Sequence, residues 1–163
     1  MSDFKFYINK FGFVDAMLHL GMWSIIWYRI GHALIKSRFR KINPLWYLYL
    51  VFNYLLMIIT HIELSPSSVI GKNLLFPHPY GIIIGPNVKI GNDVCIGPWV
   101  LFGHNFGNKA PVIEDDCYIG AKSSIIGNIT IGQRCFIGLN MVVSASLPAG
   151  SVVSVYQPFP KTK

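Results

Sequence analysis

Residues 84–97, Ile84-Gly85-Pro86-Asn87-Val88-Lys89-Ile90-Gly91-Asn92-Asp93-Val94-Cys95-Ile96-Gly97, decide how this chain folds. Isoleucine followed by glycine returns every six residues, a period that is neither the 2 of a strand nor the 3.6 of a helix. Upstream, the same apolar position falls at Leu64, Ile70 and Phe76. Downstream it continues at Phe102, Ile113, Ile119, Ile125, Ile131, Ile137 and Val143. Six-residue repeats mark a parallel β-helix, in which three faces make a triangular coil of about 18 residues and coils stack at ~4.8 Å. The apolar residue fills the prism. The glycine after it is expected to turn the corner where another side chain would be strained. Such a prism buries its core only by stacking repeats on one another.

The count slips twice, between Phe76 and Ile84 and between Phe102 and Ile113. The slips hold His78 and His104, and phase along the prism locates them. The first bulges at the corner after the third face of coil one. Glu63 precedes the first face at that corner, so Glu63 and His78 are expected as stacked neighbours. A carboxylate that fixes the tautomer of an imidazole makes a general base, and an imidazole titrates near neutrality (~6.5). The bland alternative is that His78 decorates a turn. The second slip leaves from a different corner. Three prisms packed around a threefold axis would bring one corner of each against a different corner of its neighbour, so a homotrimer with sites between subunits follows if both slips serve one site. His104 and Lys109 are then candidates for contacts across that interface, or else members of a solvated loop.

The 163 residues are 52% apolar and 13% charged, which excludes a disordered chain and allows one domain with an appendage. The expected division is a helical segment over 1–62 and the β-helix over 63–163. Residues 1–62 hold seven Lys/Arg against two acids and so most of the net charge of +7. With no zinc-finger or helix-turn-helix spacing and no basic stripe on the repeat, nucleic acid is a poor partner. Apolar steps over 14–36 and the near-continuous apolar run Leu45–Ile62 read as two α-helices, joined by the basic turn Lys36–Lys41. The second helix fits three placements: buried against partner subunits, lying on an anionic membrane surface, or spanning a bilayer. Cys95, Cys117 and Cys135 form no CxxC pair; the latter two read as small inward fillers in a reducing compartment.

The segments Ile62-Glu63-Leu64-Ser65-Pro66, Pro77-His78-Pro79-Tyr80-Gly81-Ile82, Ile119-Gly120-Ala121-Lys122 and Ile126-Gly127-Asn128-Ile129 resemble the serine acetyltransferase branch of the hexapeptide-repeat acyltransferases. The resemblance covers residues 62 to about 158. It implies a mainly β protein, a left-handed parallel β-helix behind two N-terminal helices, assembled as a trimer. It also implies direct acetyl transfer from acetyl-CoA to a hydroxyl, with His78 as base and Glu63 in the place of a partnering aspartate. Backbone N–H groups around Gly103 and His104 would stabilise the oxyanion. Ala121 and Leu139 match the backbone lining of the pantetheine groove, and Lys122 and Arg134 are candidates for the CoA phosphates. Tyr80, His104 and Lys109 are candidates for the acceptor.

Two departures bear on that acceptor. Serine acetyltransferases carry an acid before the histidine, where this chain has Pro77, and an Arg-His pair in the long loop, where it has Lys109-Ala110. With the apolar helix, these departures make the chain similar to O-acetyltransferases of capsular and exopolysaccharide assembly, including the colanic acid type. The expectation is therefore a sugar hydroxyl on a polysaccharide precursor. The enzyme is expected in the cytoplasm, peripheral at the inner membrane, with serine or another small hydroxyl compound as the alternative acceptor. No metal is expected, because the histidine spacing does not suit the three imidazoles of a γ-class carbonic anhydrase on the same prism. The remaining rival is a non-catalytic membrane scaffold.

Overall fold

A computed structural model describes residues 2–36, 43–104 and 109–155. From Glu63 onward the chain winds as a parallel β-helix whose three faces are three sheets. The first face stacks Glu63–Leu64, Ile83–Ile84, Leu101–Gly103, Ser124–Ile126 and Val142–Val143. The second stacks Val69–Ile70, Lys89–Ile90, Val112–Ile113 and Thr130–Ile131, and the third Cys95–Ile96, Tyr118–Ile119, Phe136–Ile137 and Val152–Val153. In register, Leu64 pairs with Ile84, Ile84 with Phe102, and Phe102 with Ile125. Both slips are thus absorbed outside the sheets: the first at the third-to-first corner, the second at the first-to-second corner. The inward column is sealed, with Phe76, Ile84, Ile96, Phe102, Ile119, Ile125, Ile131 and Ile137 all at 0% exposure.

The glycines have a different reason from the one expected. Among those that follow the apolar position, none adopts positive φ. The left-handed corner residue is instead the third after the apolar position: Asn73, Asn87, Asp93, Trp99, Asp116, Lys122, Arg134 and Asn140, with φ of 56–61°. Asparagine and aspartate tolerate that region best among side-chain residues, which accounts for five of the eight. Glycine is required because the next coil is so close. A Cβ on Gly120 would lie 2.5 Å from the Gly138 carbonyl carbon, and one on Gly132 would lie 2.5 Å from the Ala149 nitrogen.

Among the described residues the lead-in contains four helices rather than two: α1 (Ser2–Phe11), α2 (Phe13–Leu18), α3 (Leu20–Ile35) and α4 (Pro44–Thr60). The helix expected over 14–36 breaks at His19, whose φ of −80° and ψ of 103° are extended. The first coil has no coil beneath it, and helix side chains take the place of the missing neighbour. The Tyr28 hydroxyl accepts from Ile70 N at 3.2 Å and donates to the Ser68 carbonyl at 2.8 Å. The Tyr7 hydroxyl accepts from Phe76 N at 3.1 Å. Arg29, paired with Asp3 at 3.1 Å, donates to the carbonyls of Ile70 and Gly71. Burial pushes both tyrosine phenols up, so they stay protonated and keep a hydrogen to donate.

Helix α4 starts where Asn43 and Pro44 predict: the Asn43 side chain accepts from Leu45 N at 3.0 Å. It ends at His61, in the left-handed conformation. Of its residues only Tyr49 and Thr60 are buried, so the other described residues leave much of its surface open beyond the packing of Tyr49 on Trp27. Among the described residues no helix is long and apolar enough to cross a membrane. Most of the basic turn, residues 37–42, lies outside the described residues.

Candidate active site

His78 sits on the exposed turn that closes the third face of coil one, and its carbonyl accepts from Tyr80 N at 2.9 Å. The two-residue insertion carries Pro79, Tyr80 and Gly81 outward. Tyr80 stacks on His61 with ring centroids 4.8 Å apart and meets the Trp99 indole edge-on at 5.0 Å. Gly81, at φ +67°, lies under that indole; a Cβ there would come within 2.6 Å of the ring. Trp99 itself occupies a left-handed corner position, φ 60°, that costs a bulky residue roughly 1–2 kcal/mol. An exposed aromatic column, His61, Tyr80 and Trp99, therefore runs along the edge that carries His78.

Glu63 opens the first face with its side chain exposed, and its N–H donates to Ile82 at 2.8 Å. It lines an open groove of about 380 Å³ with Met57, Ile58, His61 and Ile83. The expected contact of Glu63 with His78 is not made as an ion pair among the described residues. Glu63 pairs with Ile83, and Tyr80 is the residue brought against His61. The two share a corner, but no ion pair joins them; the ion pair present among the described residues is Arg29–Asp3.

The other candidates divide among the three corners. Ala121, Lys122 and Leu139 lie on the His78 edge, one and two coils above Trp99. There Lys122 N donates to Pro98 at 2.9 Å, and the Ala121 carbonyl accepts from Asn140 N at 2.9 Å. Arg134 does not join them. It stands at the second-to-third corner, its N–H donating to the Asp115 carbonyl at 3.0 Å. Gly103 and His104 stand at the first-to-second corner. There the Gly103 carbonyl accepts from Gly127 N at 3.0 Å, and His104 Nε2 donates to the Pro86 carbonyl at 3.2 Å. Lys109 is exposed beside them, and residues 105–108 of the slip lie outside the described residues. One chain thus separates His78 from His104.

Sequence reasoning missed Trp99, His61 and His19. Trp99 had a signal, a bulky residue in a column otherwise held by Asn, Asp, Lys and Arg. His19 had none, because the α2–α3 junction meets the His78 turn only in space. A Cβ on Gly21 would lie 2.9 Å from Pro79 Cβ and 3.1 Å from the His19 ring. That ring packs against Phe11 and Tyr7 at 4.7 and 5.0 Å, with Nδ1 buried and unpartnered. Burial, reinforced by the nearby His78, holds its pKa below the ordinary range.

A stacked hexapeptide prism with an exposed histidine at a slipped corner defines a hexapeptide acyltransferase, and the comparisons agree. Residues 110–138 match the family model for the bacterial transferase hexapeptide (six repeats), and 128–154 match the hexapeptide repeat of succinyl-transferase. The serine acetyltransferase of Helicobacter pylori is 33% identical over 138 residues, covering 83% of this chain and 77% of that one. The chain belongs to the serine acetyltransferase family. Soybean serine acetyltransferase complexed with serine superposes with a TM-score of 0.80 at 26% identity, over 93% of this chain and 63% of that one. Serine acetyltransferase isoform 3 of Entamoeba histolytica, in complex with cysteine, gives 0.81 at 24% identity over 99% and 59%, which is a likeness of fold. The chain thus spans about three fifths of the length of these two solved proteins. A rigid superposition cannot match coils of opposite hand, so this prism winds as theirs do. These relatives carry the serine acetyltransferase name, not that of the capsular enzymes to which the chain was expected to stand nearest.

Proposed function

We propose that this chain is an acetyl-CoA-dependent O-acetyltransferase whose acceptor is serine or a similarly small hydroxyl compound. The 33% identity to a serine acetyltransferase over 83% of the chain carries the acceptor, and the exposed His78 at the bulged corner carries the chemistry. His78 takes the proton of the acceptor hydroxyl as its oxygen bonds to the acetyl carbon. The C–S bond then breaks, and the imidazolium returns the proton to the departing thiolate. Glu63, at the same corner, orients and compensates the imidazolium once the acceptor draws the two together. Ala121, Leu139 and Lys122, on the His78 edge, would hold acetyl-CoA. Gly103, His104, Lys109 and Arg134 stand on other corners and reach the site only from a neighbouring copy, so the active unit is a homotrimer with sites between subunits.

A second acceptor, a sugar hydroxyl, is favoured by the exposed His61–Tyr80–Trp99 column, which offers ring faces to a pyranose. Pro77 and Lys109-Ala110, which stand where the family holds an amino acid, favour it too. Thiol release from acetyl-CoA with L-serine, set against nucleotide sugars, separates the two. His78→Ala is expected to lower turnover by ~10²-fold or more with the assembly intact. Unchanged transfer in that variant removes His78 from the mechanism.

A further inference from the structure

We infer that α4 docks this protein onto an anionic lipid surface, a role independent of the acyl-transfer reading. The helix, PLWYLYLVFNYLLMIIT, has no charged residue. Its exposed positions, among them Leu48 (53%), Val51 (58%), Leu55 (48%) and Ile59 (67%), would be unremarkable singly. Together they sweep about 220° of the helix circumference at ~100° per residue. A single packed neighbour accounts for a stripe of roughly 100°. A hydrocarbon boundary solvates the whole arc, and Tyr54, 61% exposed, is a residue type suited to the polar edge of that boundary.

Charge selects between lipid and a second copy of the chain. The helical half, residues 1–62, has seven Lys/Arg against two acids. Bringing two such halves together face to face sets like charge against like, whereas an anionic surface is complementary to both. Length selects between lying and crossing. Seventeen residues rise about 25 Å, short of the ~30 Å hydrocarbon core, so the helix lies along the surface. It ends three residues before Glu63.

The full chain is sedimented with vesicles of phosphatidylcholine alone or with added phosphatidylglycerol, at low and high salt. Binding is expected to the anionic vesicles, at least about tenfold tighter than to neutral ones, and to weaken as salt rises. Val51→Glu with Ile59→Glu should reduce it by about tenfold or more while transfer to the acceptor and the melting temperature are kept. Absence of wild-type binding overturns the inference. So does a variant that binds vesicles as before but falls to a smaller assembly in their absence, which would make the face an interface between copies. If the variant fails to fold, the lipid and salt dependence of the wild type decides.

Discussion

Replacing Tyr28 with phenylalanine removes one oxygen from a side chain 1% exposed and leaves its packing in place. Two backbone groups of the first coil lose their partner: Ile70 N, 3.2 Å from the hydroxyl, and the Ser68 carbonyl, 2.8 Å from it. Neither has a coil beneath it to turn to. A buried group left unsatisfied costs about 1–3 kcal/mol, so the pair costs about 2–6 kcal/mol. For a chain of this size that is a fall in melting temperature of about 4–24 °C. Tyr7→Phe, which frees only Phe76 N, should cost about half as much. Thermal unfolding followed by circular dichroism at one fixed protein concentration reads both. If Tyr28→Phe melts within about 1 °C of wild type, or loses less than Tyr7→Phe, the helices do not cap the prism in the way described.

Other consequences follow from the same geometry. Gly120→Ala should destabilise by about 1–3 kcal/mol, because its Cβ would press on the Gly138 carbonyl. Gly103→Ala, whose Cβ would meet nothing nearer than 4.0 Å, should melt as wild type, and equal melting of the two refutes the close-approach account. His19 is buried with its pKa held down, so below about 6.5 the unfolded chain binds a proton that the folded one refuses, and stability falls with pH. The stability advantage of wild type over His19→Gln should therefore shrink between about pH 7 and pH 5, and a constant difference denies it. Burial pushes the Cys117 thiol up to about 11, so iodoacetamide should label it only on unfolding. Prompt labelling of the native protein at mildly alkaline pH would contradict the inward placement.

The candidate site was legible as far as it is written along the chain. Counting from Phe76 to Ile84 placed His78 at the third-to-first corner, and counting from Phe102 to Ile113 placed His104 at another, as the strand registers show. The count could not say that Tyr80 stacks on His61, since a two-residue bulge has no period. Lys122 and Arg134 are both candidates for the CoA phosphates along the chain, but they stand at different corners. No periodic signal announces α1, which presents Tyr7 to the prism and Asp3 to Arg29. His19 is far from His78 in sequence, and only the packing of Gly21 on Pro79 brings them near.

By itself the sequence determined the coil, its register and the corners at which it is interrupted. A six-residue period of inward side chains is a property of covalent order, and stacking one coil on the next satisfies both apolar burial and backbone pairing. The tertiary structure alone decided why the glycines are glycines, because the next coil's backbone occupies the space of a Cβ. It alone decided how the open end of the prism is sealed, through the hydroxyls of Tyr7 and Tyr28. It also showed that α4, which the sequence left free to be buried, packs one side on α3 through Tyr49 and Trp27 and keeps its other side exposed among the described residues. Each of these depends on distances between segments that the chain order does not contain.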